Sequence, residues 1–381
     1  MKKMRKLLCL LLSLALCLTL LSACGGGSSA PAETEAPAET EAAAPAETEA
    51  AAPAETEAPA ETEAAAPAAA DGEVFNLRLA THYNTEHLGY AALERIKEKL
   101  ETESGGRLQI TLYPSSQLGD YTLTFQELME GTIDLALIPV PSEYDSRLEM
   151  NFIPYLINGY DGMAASFGEG SYFFDNYTKI LSELNIKLLG MYVEGLIGFG
   201  FAEYPENYQD VNADKKGLMV RAPAIEVYNL VTEDMGFSAT TIPYADLYTS
   251  MQTGVCNGWI GGTPQLNYSD FRDVIKYYVP YNVFAENIGF FMSMDVYNTL
   301  PEDLQQLIVE TFKGESENSF VTAKQGDEDA LKAMEEYGIE ILPLTDEELQ
   351  AYRQHVIDTT WPKLGKNIGD DILQGLIEAN Q

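Results

Sequence analysis

One arginine, Arg221, closes a short apolar run, GLMVRAP at residues 217–223. A guanidinium at the end of a strand is a natural grip for a carboxylate, because its rigid fork of donors matches two carboxylate oxygens at once. Downstream, PYADLYTSMQTG at residues 243–254 reads as a turn followed by a helix that a glycine stops. Together the two stretches describe a site for a small organic anion.

Other chemistry finds less support. His82 and His87 lie five apart, and no cysteine or acidic partner stands at a zinc-binding spacing. The acidic clusters at residues 326–329 and 345–348 read as helix starts, where carboxylates favour the dipole, and not as calcium loops. Neither a G-x-S-x-G elbow nor a G-x-x-x-x-G-K-[ST] phosphate loop occurs. The chain is therefore read as a non-enzyme without a metal or cofactor, and Cys256 as a packed small hydrophobe.

These residues must be positioned by an α/β body. Residues 75–80 alternate apolar and polar as a strand, 88–103 carry Leu93, Ile96 and Leu100 on one helical face, and 107–113 alternate again. A helix at 121–130 and an apolar strand at 134–140 complete β-α-β-α-β, the pattern of a mostly parallel sheet with helices on both faces. The order recurs further on, with strands at 187–193, 217–220, 240–243 and 255–261 and helices at 226–233 and 244–252. From Pro301 the reading turns helical. Two α/β units fit this length, and the cleft between them, at the carboxyl ends of strands, is the default site.

The first residues are of a different kind. Lys2, Lys3, Arg5 and Lys6 precede an apolar core at 7–21, then Leu21, Ser22, Ala23 and Cys24, the order of an export signal. That ending resembles the bacterial lipobox, which implies a signal peptide at 1–23 and a lipid-modified Cys24. Cys9 and Cys17 would leave with it, so Cys256 would be the mature domain's sole cysteine. Residues 24–71 combine that cysteine with APAETEA-type repeats, whose prolines interrupt helix and whose small residues cannot pack. This is a disordered tether of 46 residues from 25 to 70, with a reach of roughly 140 Å at its most extended.

The chain has 59 acidic and 23 basic residues. With four basic residues in the leader and ten glutamates in the tether, the body keeps 19 basic against 49 acidic, and so charged a surface excludes nucleic acid as a partner.

SQLGD at 116–120, GTIDLAL at 131–137, PYL at 154–156, GLMVRAP, DLYTSMQTG at 246–254 and LPEDLQQLI at 300–308 occur in that order. In this, residues 75 to about 380 resemble the extracytoplasmic solute-binding proteins of tripartite ATP-independent periplasmic (TRAP) transporters, the DctP family. The resemblance implies two α/β domains joined by a hinge, periplasmic-binding-protein-like, within 72–381. Lobe I would hold about 74–194 and 285–325, and lobe II about 195–284 and 326–381. It implies an organic acid gripped by Arg221 and delivered to an ion-gradient-driven membrane permease, with the receptor lipid-anchored on the extracytoplasmic face of the cell membrane. An ABC-type binding lipoprotein and a surface scaffold or adhesion lipoprotein stand as alternatives.

Two positions depart from the family pattern: a second arginine is replaced at Ile197, and an asparagine at Gly261. The loss of a cation and an amide points to a monocarboxylate. Further ligand-contact candidates come from strand ends and from rings: His82, Asn84, Glu194, Phe199, Tyr244 and Trp259.

Overall fold

The computed structural model describes residues 72–381 apart from Asn158. The leader, Cys24 and the tether lie outside the described residues.

The first lobe begins with β1 (Phe75–Thr81), α1 (Leu88–Glu103), β2 (Leu108–Tyr113), α2 (Tyr121–Met129) and β3 (Leu135–Ile138). A 3-10 turn (Ser146–Asn151), α3 (Met163–Phe167), α4 (Tyr172–Glu183) and β4 (Ile186–Leu196) follow. The second lobe holds β5 (Gly198–Phe201), β6 (Lys215–Ala222), α5 (Glu226–Asp234), β7 (Phe237–Thr241), α6 (Tyr244–Thr253), β8 (Gly258–Gly262), α7 (Pro264–Phe271) and β9 (Tyr277–Val279). The chain then returns through β10 (Ala285–Ser293), α8 (Met294–Thr299) and α9 (Glu302–Tyr337). It ends with β11 (Glu340–Ile341), α10 (Asp346–Thr359), α11 (Trp361–Ile368) and α12 (Asp370–Ala379).

The strands make a five-stranded sheet, β2-β1-β3-β10-β4, and a six-stranded sheet, β11-β9-β5-β8-β6-β7. Each is mixed, unlike the mostly parallel sheet read from the sequence. β10 arrives from the second lobe and inserts antiparallel between β3 and β4, while β5 runs antiparallel to β8 and β9. A segment that crosses back directly from the other lobe enters the sheet running the opposite way.

Two crossovers form the hinge. Ile197, between β4 and β5, donates its N–H to Phe284 O at 2.9 Å and accepts from Val283 N–H at 3.0 Å, so outgoing and returning chains are bonded side by side. β4 is an edge strand, and α9 covers it. Ser319 Oγ accepts from Val193 N–H, Ser316 Oγ bonds both N–H and C=O of Met191, and Asp327 accepts from Leu196 N–H at 2.8 Å. These side chains satisfy backbone groups that an open edge would expose.

The C-terminal helices divide between the lobes. α10 lies on the second lobe, with Tyr352 OH donating to Tyr208 O at 2.7 Å and His355 Nε2 2.8 Å from Asp234 O. Beyond it the chain returns to the first lobe, where Trp361 Nε1 donates to Pro154 O at 2.9 Å and Ser146 Oγ to Asn367 O at 2.7 Å. The sequence reading kept 326–381 in the second lobe. Residues from Trp361 onward instead bury their apolar face on the 3-10 turn and α4, where Leu364, Ile368 and Leu376 are fully covered.

Candidate functional site

Arg221 stands near the carboxyl end of β6, beside Trp259 on β8 and Thr240 on β7 in the parallel register. It is 1% exposed. Its Nε donates to Ile242 O at 2.8 Å, which locks the plane of the fork, and its Nη2 has no partner among the described residues. None of the ion pairs among the described residues involves it. Burial pulls its pKa down, against small opposing effects of Tyr121, Tyr244 and Asp120, but an arginine keeps its charge in a protein. A desolvated cation without a protein carboxylate costs several kcal/mol, which a bound anion offsets.

The guanidinium lines a small cavity between the lobes. The first lobe contributes His82 after β1, Tyr121 at the start of α2, Pro139 after β3, Phe152, and Glu286 on β10. The second contributes Pro223, Ile225, Tyr228, Tyr244, Gly261 and Leu266. Arg221 is the one lysine or arginine in this lining. Gly261 faces it with φ +119°, a conformation that disfavours any side chain, and a Cβ there would sit 3.7 Å from Nη1. The amide missing at this position is therefore excluded by the backbone as well as by the residue type.

Of the candidates named from the sequence, the structure brings Arg221, Tyr244 and His82 to this cavity. The Tyr244 ring lies 6.0 Å from the guanidinium carbon and edge-on to His82, with centroids 5.2 Å apart. Its hydroxyl donates to Asp270 at 2.7 Å. Burial pushes the His82 imidazole down to about 3, more than the nearby Glu194 can raise it, so the ring is neutral at physiological pH.

The other four lie outside the lining. Trp259 is fully buried, donates Nε1–H to Asn267 at 3.0 Å and packs on Phe271, so it supports the strand next to Arg221. Phe199 sits in the aromatic core with Phe201, Phe237 and Tyr281, because its strand turns that face inward. Asn84 is used as a latch between lobes, donating to Asp270 Oδ1 at 2.7 Å. Glu194 accepts from Tyr83 OH at 2.6 Å and from Thr263, with His87 Nε2 at 3.5 Å. His87 Nδ1 accepts from Gly89 N–H, which leaves its proton on Nε2, toward Glu194. Burial opposes the Glu194 charge, yet His87 and the two hydroxyls outweigh it and hold the carboxyl below its ordinary value.

Ile197 is fully buried in the hinge and does not line the cavity. Sequence reading missed Tyr121, Tyr228 and Glu286. The last had a signal: a glutamate inside an otherwise apolar strand, AENIGFFMS.

Several contacts close the cleft. Tyr121 OH accepts from Ala224 N–H at 3.1 Å, Asp120 from Tyr244 N–H at 3.1 Å, and Glu149 from Glu226 N–H at 2.9 Å. The site therefore combines one cation, neutral hydroxyls and rings, shielded from water by two touching lobes. Cys256 is buried and its thiol pushed up by burial, which leaves it unreactive. Among the described residues no cluster of three His, Cys, Asp or Glu could hold a metal, and no helix is long and apolar enough to cross a membrane.

Residues 79–364 match the model of bacterial extracellular solute-binding protein, family 7, the DctP family. The chain belongs to this family. It is accordingly a TRAP-type extracytoplasmic solute-binding protein and not an enzyme. The solute-binding protein is 21% identical over 308 residues to the sialic acid-binding periplasmic protein SiaP of Vibrio cholerae, covering 79% of this chain and 91% of the relative. Its fold matches the sugar acid-binding protein of Advenella mimigardefordensis in complex with galactonate, with TM-score 0.75 and 18% identity over 81% of this chain and 99% of that one. It also matches a TRAP solute-binding protein of Shewanella oneidensis with bound succinate, with TM-score 0.72 and 20% identity over 81% of this chain and 100% of that one.

Proposed function

We propose that this protein captures a small organic acid outside the membrane, with the acid's carboxylate held by Arg221, and delivers it to a TRAP permease. The single observation that carries this reading is a buried guanidinium, fixed through Nε, whose Nη2 finds no protein partner inside an interlobe cavity. A carboxylate would supply both the missing acceptor and the missing charge. The relatives named above, which bind sialic acid, galactonate and succinate, support an acid as the ligand class.

The ligand carries one carboxylate. A second would find no further lysine or arginine in the lining and would meet the Glu286 carboxyl instead. Attachment is through a lipid on Cys24, with the tether holding the binding domain clear of the membrane.

The test is a thermal-shift screen of small organic acids on the full chain, followed by titration calorimetry. An acid at a hundredfold excess over its Kd stabilises the folded state by roughly 2.7 kcal/mol, and Arg221→Ala should abolish the response. Unchanged affinity in that variant overturns the proposal. Succinate binding more tightly than every monocarboxylate overturns the single-carboxylate reading. Cys24→Ala should release the protein from the membrane fraction.

A further inference from the structure

The cavity that holds Arg221 also holds a carboxyl that nothing in the chain neutralises. Glu286 is 4% exposed, and its one side-chain hydrogen bond among the described residues is from Tyr228 OH to Oε2, at 3.2 Å. No ion pair among the described residues involves it, Arg221 included. A guanidinium and a carboxyl sharing a desolvated space would pair if free to move, but each is tied to its own support. Arg221 is tied through Nε to Ile242 O and Glu286 through Tyr228, so the two are held as separate poles.

The backbone is shaped for this. β10 pairs with β4 in regular register except for shifts between Glu286 and Asn287 and between Phe290 and Phe291. At the first shift the extra residue is Glu194 on β4, opposite Glu286, and such a bulge alters the local twist of the pair. The first of these shifts stands where the one acidic residue of the strand joins the cavity lining.

We infer that Glu286 is a subsite for a cationic nitrogen, so that the ligand is an amino acid, its carboxylate on Arg221 and its ammonium on Glu286. The inference rests on the carboxylate reading of Arg221 and deepens it. A charged glutamate in an apolar strand is costly unless a cation meets it, and the lining's one cation, Arg221, makes no ion pair with it. The remaining walls, Phe152, Ile225, Leu266 and Pro139, are apolar and suit an aliphatic spacer.

The surrounding charges favour the same polarity. Burial raises the Glu286 carboxyl well above its ordinary value, and the charge of Glu194 on the neighbouring strand raises it further, with Tyr228 opposing. The other titratable groups in the lining are His82, which is neutral, Tyr121, Tyr228, Tyr244 and Arg221. The Glu194 charge, which adds to burial in holding a proton on Glu286, also attracts an ammonium. When the ammonium enters, the carboxyl gives its proton to solvent and the resulting carboxylate pairs with the ligand nitrogen, which keeps its own protons.

The experiment titrates the full chain with α-, β- and γ-amino acids and with matched acids in which hydroxyl or hydrogen replaces the amine. It is run in buffers of different ionisation heat. At least one amino acid should bind about tenfold or more tighter than both its analogues, with release of up to about one proton. Glu286→Gln, checked by its melting curve, should erase that preference while still binding the amine-free acids through Arg221. A native chain that prefers hydroxyl or hydrogen analogues, or binds amino acids equally well in Glu286→Gln, overturns the ammonium subsite and leaves the carboxylate reading standing. If no acid of any kind binds, or Arg221→Ala binds as the native chain does, the carboxylate reading falls and this inference with it.

Discussion

Under the proposed function, Arg221 carries both the specificity and a cost. Because its charge is buried without a protein anion, replacing it by the apolar, similarly long methionine removes a desolvation penalty. We expect the ligand-free melting temperature of Arg221→Met to equal or exceed that of the native chain, although binding is lost. A structural ion pair would predict the reverse, a loss of about 3–5 kcal/mol. Arg221→Lys should keep the fold and weaken binding at least about tenfold, since an ammonium cannot reproduce the planar fork; calorimetry reads both. His82 makes a prediction of its own. Its folded pKa of about 3 lies below the ordinary histidine value of 6.5. The unfolded chain therefore takes up a proton between these values and the folded chain does not, so stability is complete above 6.5 and falls as pH drops toward 3. The slope contributed is about 1.4 kcal/mol per pH unit. His82→Asn should flatten the native curve of stability against pH in that window, and an unchanged slope would refute the assignment.

At the scale of elements, function depends on helix ends that are completed from the opposite lobe. The N-terminus of α5 has no side-chain cap of its own, and Glu226 N–H is met by Glu149 and Ser142 of the first lobe. A cap is worth about 1 kcal/mol. Here that energy is gained only when the lobes meet. Glu149→Ala should therefore weaken ligand affinity by about fivefold, chiefly through faster release, although Glu149 does not line the cavity. Surface plasmon resonance separates the two rates. The cover that α9 gives to β4 is a matter of stability. Ser316→Ala and Ser319→Ala each leave a buried backbone group of the edge strand unsatisfied, at about 1–3 kcal/mol. Denaturant titration should show that loss with ligand affinity little changed.

The whole molecule is two sheets joined by a bonded pair of crossovers, with two further passages of chain, one from α9 into β11 and one where α10 gives way to α11. Such a hinge lets the lobes part as bodies while Ile197 and Phe284 keep the strands in register. Ligand should shift the population toward the closed form in proportion to its preference for that form. Small-angle scattering should show the radius of gyration falling when an acid is added to the native chain and staying constant for Arg221→Met.

Much of this protein is legible in the chain because it is local. Alternating residues in β1 and β2, the helical stripe of α1, and an arginine at a strand end all follow from near neighbours, and the ordered motifs identify the family. Burial on one face is as far as periodicity reaches: Phe199 and Trp259 are inward-facing rings, as their strands imply, but they face the core and not the cleft. Which inward face borders the cavity is decided only when two distant segments pack. Glu286 and Arg221 lie 65 positions apart in the chain and on different sheets, yet both line one cavity. The sequence alone determined the elements and the cation. The tertiary structure decided that a carboxyl shares its cavity, because only the meeting of the lobes shuts both groups away from water.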